Sequence, residues 1–485
     1  MHRRLIILAL IPLLLLPACA TTPVVSPPEP FGAIPTPRQL AWHDHRFYAF
    51  VHFNMNTFTG VEWGHGREHP DTFNPTDLDT DQWCRIFKEA GLTGVIITAK
   101  HHDGFCLWPS EYTEHDVAAS SWRNGKGDVI KDLAESCEKY GLWMGVYISP
   151  WDQNHPDYGR NDEAYNDFYN NQLTELLTNY GPIAEVWWDG ANGDRNNPDK
   201  HQDYDWPRFI ETVNTLQPDA VIFAPPNANV PGGIRWVGNE AGYANSTQWA
   251  THPQGIEEDP TTLNTGIEGA DTWFPAETDV SIRKGWYWSQ ESDDTVKSPS
   301  ELLKIYHESV GHNTNLLLNF AVDNRGQIHP AEEQTLRRMS ENLRRIYSND
   351  KIAHQPAFAS VTRSDEYAAS NITDTNVNTY WAAPDGVTTA TLSVPIENGS
   401  LVTHIILQEH IELGQRIRGW NIEARDNGVW KQVASGTTIG HYRIVELDTV
   451  PAADEIRLNI TDSLASPTLE RMSVYDAIFS NPNPF

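Results

Sequence analysis

Four cysteines in 485 residues are too few for a disulfide framework to hold the chain together. Cys19 closes an apolar N-terminal run, and Cys84, Cys106 and Cys137 remain as an odd set without metal-type spacing. Cys84 and Cys137 fall in helical patterns and read as small buried hydrophobes. Positive charge is also scarce: 35 Lys and Arg stand against 65 Asp and Glu, a formal net charge of -30. Nucleic-acid binding needs a cationic surface to release counterions, so DNA and RNA are discounted as partners. No Gly-rich fingerprint follows the first candidate strand, which argues against a nucleotide cofactor.

The apolar run Leu5 to Leu16 follows a basic head, Met1-His2-Arg3-Arg4, and is too short to span a bilayer stably. It reads as a signal peptide. Its end, Leu16-Pro17-Ala18-Cys19, resembles a bacterial lipobox, which implies cleavage before Cys19 and acylation of that thiol; ordinary cleavage near Ala20 is the simpler alternative. Ala20 in place of an aspartate implies an exported lipoprotein on the outer membrane. Residues 20–37, rich in Pro, Thr and Ser, read as a flexible tether.

What is abundant is aromatic: 18 Trp and 17 Tyr, flat side chains that suit sugar C–H faces as well as cores. From Trp42 onward, apolar runs alternate with amphipathic segments. Strands are expected at Phe47 to Phe53, Gly94 to Thr98, Trp143 to Ile148, Ile183 to Trp188 and Ala220 to Phe223. Less regular candidates are Trp236-Val237, Thr272 to Phe274, Gly285 to Trp288 and Asn315 to Phe320. Helices are expected at Asp81 to Ala90, Gly127 to Tyr140, Glu163 to Asn179, Trp206 to Leu216, Ser300 to Gly311 and Ala331 to Tyr347. So many strand–helix repeats favour an α/β fold with a (β/α)8-like TIM barrel over residues 38–347. Residues 348–356 read as a polar linker, and 357–485, with short alternating runs between turn residues, as an antiparallel β-sandwich.

The candidate chemistry collects at the C-terminal ends of the barrel strands. Ile183 to Gly190 ends an apolar strand in Trp187-Trp188-Asp189-Gly190, and Asp189 there is a nucleophile, an electrostatic stabiliser or simply a helix or turn cap. His52 and Glu62-Trp63 follow the first strand. Lys100-His101-His102-Asp103-Gly104-Phe105 follows the second; neighbouring histidines on an extended chain point apart, so both face one pocket only if the chain bends. They lack a third ligand at zinc spacing, and no metal is assigned. Tyr147 ends the third strand, and Gly238-Asn239-Glu240 places a second carboxylate among small residues. Glu277 and Asp279 compete with Glu240 for the role of acid, and Arg283 and Trp286 follow them. Two carboxyl groups about a glycosidic bond are what glycoside hydrolysis requires.

This set resembles the family 29 glycoside hydrolases, the retaining α-L-fucosidases, over roughly Phe31 to Tyr347. The resemblance implies Asp189 as nucleophile and, by similarity to the branch cleaving α-1,3 and α-1,4 linkages, Glu240 as acid/base. It implies a fucose site lined by His52, Glu62, Trp63, His101, His102, Tyr147, Trp187, Arg283 and Trp286, and a fucosylated glycan as substrate, with no cofactor. The alternatives are a glycosidase for another sugar such as galactose, or a non-catalytic glycan-binding surface lipoprotein. Asn371 to Trp381 resembles the strand entry of discoidin-like and family 32 carbohydrate-binding domains, where Asp374 and loop carbonyls would suit a structural calcium. The sandwich itself reads chiefly as a buttress for the barrel.

Overall fold

The computed structural model describes residues 25–193, 201–225, 228–255 and 259–477, without the side chains of 398 and 448–451. Cys19 and the lipobox lie outside the described residues. Among those residues no helix is long and apolar enough to cross a membrane.

The chain first forms α1 (Pro37–His45), β1 (Phe47–His52), α2 (Met55–Thr59), α3 (Thr80–Ala90), β2 (Gly94–Lys100), α4 (Val129–Tyr140), β3 (Trp143–Ile148), α5 (Asp162–Asn179), β4 (Glu185–Trp187), α6 (Trp206–Leu216) and β5 (Val221–Phe223). There follow β6 (Arg235–Trp236), α7 (Pro260–Thr265), β7 (Ala276–Ser281), α8 (Pro299–Ser309), β8 (Asn315–Ala321) and α9 (Pro330–Tyr347). The eight strands form one parallel sheet in the order β5-β4-β3-β2-β1-β8-β7-β6. Its ends meet through Ile234, whose N–H donates to Ile222 and whose carbonyl accepts from Ala224, closing the barrel.

Strand periodicity sorts side chains between two cores. Tyr48 and Phe50 of β1, Ile96 of β2, Tyr147 of β3 and Trp187 of β4 pack together inside the barrel. Their neighbours Ala49, Val51, Ile97, Val146 and Val186 pack outward against the helices. Burial on both faces is why these strands are continuous apolar runs. The helices begin and end where their caps dictate. In α4 the Asp128 carboxylate accepts from the Lys131 N–H, and Gly141 closes the helix in the left-handed conformation.

Four expectations are corrected. The seventh strand is Ala276–Ser281, not Gly285 to Trp288, which is a loop. Glu277 and Asp279 turn into the barrel there, and a strand with carboxylates on its inner face has none of the apolar signature of its siblings. Thr272 to Phe274 provides only an isolated bridge from Trp273 to Thr251. The supposed tether is fixed from residue 26 onward: Ser26, Glu29 and Phe31 hydrogen-bond to Arg363, Arg416 and Leu413. Its last residues begin α1, whose capping box pairs Thr36 with Gln39. The polar linker is likewise ordered, with Ile352 buried in the core of the second domain.

That domain comprises β9 (Phe358–Ala359), β10 (Trp381–Ala382), β11 (Ala390–Gln408), β12 (Ile417–Asp426), β13 (Val429–Gly436), β14 (Arg443–Ser463), β15 (Thr468–Leu469) and β16 (Arg471–Tyr475). Its larger sheet is antiparallel, in the order β13-β12-β14-β11-β16, and faces the pair β10-β15 across an apolar core that includes Trp381, Leu392, Ile422 and Leu458. The two domains are joined by polar bonds as well as by chain. Gln415 accepts from the Ala250 N–H and donates to the Gln248 carbonyl, Arg443 donates to Ser246, and Ile444 donates to Gly311. The sandwich thus braces the loops between β6 and β7 and the end of α8. In the Asp374 loop both carboxylate oxygens are engaged, accepting from the Asn376 N–H and the Thr379 hydroxyl.

Cys84 and Cys137 are buried on the adjacent helices α3 and α4 as free thiols, with their sulfurs 3.8 Å apart in a weak thiol–thiol hydrogen bond.

Candidate active site

A cavity of about 530 Å³ opens at the C-terminal ends of the barrel strands. Asp189 stands just beyond the end of β4. Its Oδ2 accepts from the Tyr147 hydroxyl at 2.9 Å and its Oδ1 from the Ala191 N–H at 2.7 Å. His102 Nε2 lies 3.8 Å from Oδ2. A carboxylate held by donors on both oxygens has one orientation, with its open side toward the cavity.

Tyr147 therefore positions Asp189 from β3. Tyr147→Phe removes one hydrogen bond to a charged group, worth about 1.5–3 kcal/mol. We expect kcat to fall by roughly 10- to 150-fold with Tm nearly unchanged; a kcat within twofold of wild type would show that the bond is idle.

The histidine pair settles a question of direction. Both His101 and His102 line the cavity, their ring centroids 4.1 Å apart. The chain bends as soon as β2 ends: Gly104, at φ +84, returns its N–H to the His101 carbonyl. A side chain at Gly104 would collide with the Asp152 carboxylate, so the bend is held by close approach. His101 Nδ1 meets Asn56, His102 Nδ1 meets the Ser149 hydroxyl at 2.7 Å, and His52 Nδ1 meets Asn319 at 2.7 Å. Burial lowers the pKa of all three, that of His52 to about 3, so neutral rings with fixed edges face the cavity. These are hydrogen-bonding walls for a neutral polyol.

Glu62 works on the loop opposite. Its carboxylate accepts from the Trp286 backbone N–H at 2.6 Å, and so sets the indole against His52, ring centroids 5.1 Å apart. Trp63 also lines the cavity and is 42% exposed, at the rim. Trp187 forms part of the floor, stacked on Phe223 at 4.0 Å and donating its indole N–H to Glu277.

Glu240 is exposed on its loop and lines the cavity. Partial desolvation raises its pKa, and the charges of Asp189 and Glu62 push the same way, against a hydrogen bond from Trp286. Of the competing carboxylates, Glu277 is wholly buried beneath the floor, engaged by Tyr48 and Trp187, and burial pushes its pKa up to about 7. Asp279 does line the cavity, but the Trp236 indole donates to it at 2.8 Å.

Arg283 is not a lining residue. It is buried, donating to Glu332, Asp293 and Ser292. A guanidinium fits there because a carboxylate from α9 shares the burial. Arg283→Met would strand Glu332, and we expect a loss of about 3–5 kcal/mol of stability with KM unchanged below the melting transition. A large rise in KM at unaltered Tm would restore a substrate role.

Residues that sequence reasoning passed over also line the cavity: Phe50, Trp151, Asn192, His201, Phe223 and Trp236. Phe50 was accessible, two positions before His52 on the same strand face. Trp151, placed by the loop after β3, had no such signal.

A family model of α-L-fucosidases matches residues 33–347, and one of F5/8 type C domains matches residues 356–472. The chain belongs to the α-L-fucosidase family. It is 38% identical to α-L-fucosidase 1 of Arabidopsis thaliana over 93% of this chain and 89% of the relative. Its fold is similar to the crystal structure of a "putative α-L-fucosidase" from Bacteroides thetaiotaomicron, with TM-score 0.86 and 37% identity, covering 94% of this chain and all of the other. It is also similar to a Ruminococcus gnavus fucosidase solved in complex with fucose, with TM-score 0.85 and 31% identity over 93% and 97% of the two chains.

Proposed function

We propose that the protein is a retaining exo-α-L-fucosidase that removes terminal, α-1,3- or α-1,4-linked fucose from glycans, with Asp189 as nucleophile and Glu240 as acid/base. The observation that carries this reading is the convergence on one cavity of a doubly anchored carboxylate and a second carboxyl of raised pKa. Asp189 attacks C1 as the C1–O bond to the aglycone breaks, and the Glu240 proton passes to the departing oxygen. Glu240 then takes a proton from water, whose oxygen bonds to C1 as the bond to Asp189 breaks. His52, His101 and His102 hold the ring hydroxyls, and Trp286 with Phe50 offers an apolar wall to the C6 methyl. Such a wall disfavours a sugar with a C6 hydroxyl by roughly 10²-fold.

Incubation with 4-nitrophenyl α-L-fucoside, the matching α-galactoside, and Lewis-type and α-1,2-fucosylated trisaccharides tests both parts. Fucose release from the Lewis-type sugar with little from the α-1,2 isomer supports the linkage; no fucose from any substrate sinks the reading. The basic head, apolar run and Cys19 at the N-terminus support export and lipid anchoring at the outer membrane. Labelling by palmitate that persists in Cys19→Ser would remove the anchor.

A further inference from the structure

The seam between the barrel and the sandwich contains a group of side chains that the fucosidase chemistry does not use. His307 comes from α8 of the barrel, and His404 and Glu446 from β11 and β14 of the sandwich. His404 and Glu446 are register partners across the antiparallel pair, so their side chains share one face of that sheet. His307 Nδ1 reaches Glu446 Oε2 at 3.3 Å, and one donor atom from each of the three residues lies within 4.8 Å of the others. Both histidines are buried, whereas the Glu446 side chain is 67% exposed.

We propose that His307, His404 and Glu446 bind a zinc ion that clips the catalytic barrel to the C-terminal sandwich. Two imidazoles and one carboxylate are a zinc donor set, and calcium, which takes oxygen ligands, does not suit it. The far sides of both rings are engaged as those of metal-bound histidines are. His307 Nε2 meets the Tyr347 hydroxyl at 3.0 Å, and His404 Nδ1 meets the Thr403 hydroxyl at 2.9 Å. Both partners are hydroxyls, which can accept a ring N–H, and with Nε2 of His307 and Nδ1 of His404 turned to them His307 Nδ1 and His404 Nε2 are the atoms left to ligate zinc. Donors at about 2.0–2.1 Å from a tetrahedral ion sit about 3.4 Å apart. The exposed Glu446 supplies the small closing movement, and water from its open side completes the coordination.

The test uses the full chain, stripped with a chelator and titrated with zinc by calorimetry while Tm is followed. The expected result is a one-to-one endpoint and a saturable rise in Tm, with kcat on the nitrophenyl fucoside unchanged. Glu446→Gln, on an exposed side chain that is free to change, and His404→Gln each abolish the endpoint. Tyr347→Phe, which keeps the ring and removes only the hydroxyl at His307 Nε2, weakens zinc about 10- to 100-fold. The proposal is overturned if the wild type takes up no stoichiometric zinc, or if uptake is the same in all three variants, which would place the ion elsewhere. An anomalous diffraction peak at the zinc edge outside this triad overturns it equally.

Discussion

Asp189→Ala is expected to lower kcat by at least about 10³- to 10⁴-fold, because removing a nucleophile forfeits the covalent route and not merely a contact. That corresponds to roughly 4–5.5 kcal/mol of barrier. The two donors that orient the carboxylate, Tyr147 and the Ala191 N–H, remain in place, so the vacated space keeps its shape. A small anion such as azide can enter it and attack C1 from the same side. Partial recovery of rate, with fucosyl azide of inverted anomeric configuration as product, is therefore the expected signature. Turnover near the wild-type level without azide would remove Asp189 from the mechanism and leave a carboxylate that caps its own loop through Ala191.

Glu240→Ala separates its losses by leaving group. Proton donation contributes about 10²- to 10⁴-fold where the departing oxygen is a poor leaving group. Fucose release from a natural trisaccharide should fall by that amount. The first step on 4-nitrophenyl fucoside should survive, since its phenolate departs without help, and the fucosyl-enzyme should accumulate. Azide now captures the intermediate from the aglycone side and yields fucosyl azide of retained configuration, opposite to the Asp189 variant. The sign of the pH dependence follows from the direction of the shift. Glu240 must be protonated to act as acid, so kcat/KM falls as pH rises through its pKa, and partial desolvation together with Asp189 and Glu62 moves that limb to higher pH. The limb should disappear in Glu240→Ala. If it persists, another group such as Asp279, which lines the same cavity, supplies the proton.

The histidines of the site show why a local reading stops short of geometry. His101 and His102 are adjacent, and on an extended chain their side chains would diverge. They share a cavity because the strand ends at Lys100 and Gly104 turns the chain at once, held by a contact with Asp152. Arg283 shows the reverse failure. It lies three residues before Trp286, which does line the cavity, yet its buried partners come from α9 and from the segment at Ser292 and Asp293. Strand seven was illegible for a related reason. The inward Glu277 and Asp279 take their hydrogen bonds from Tyr48, Trp187 and Trp236 on three other strands.

What the sequence determined alone were the features whose cause is local or repetitive. The first five strands and the eighth carry apolar runs because both of their faces are buried, and α4 begins at Asp128 and ends at Gly141 because those residues satisfy its end groups. The acidic surface and the Trp-Trp-Asp-Gly strand end were equally plain. Tertiary structure decided which polar side chains face the cavity and which are consumed in burial, because that depends on partners from distant strands. It also joined His307 to His404 and Glu446, residues that meet only where a barrel helix is pressed against the sandwich.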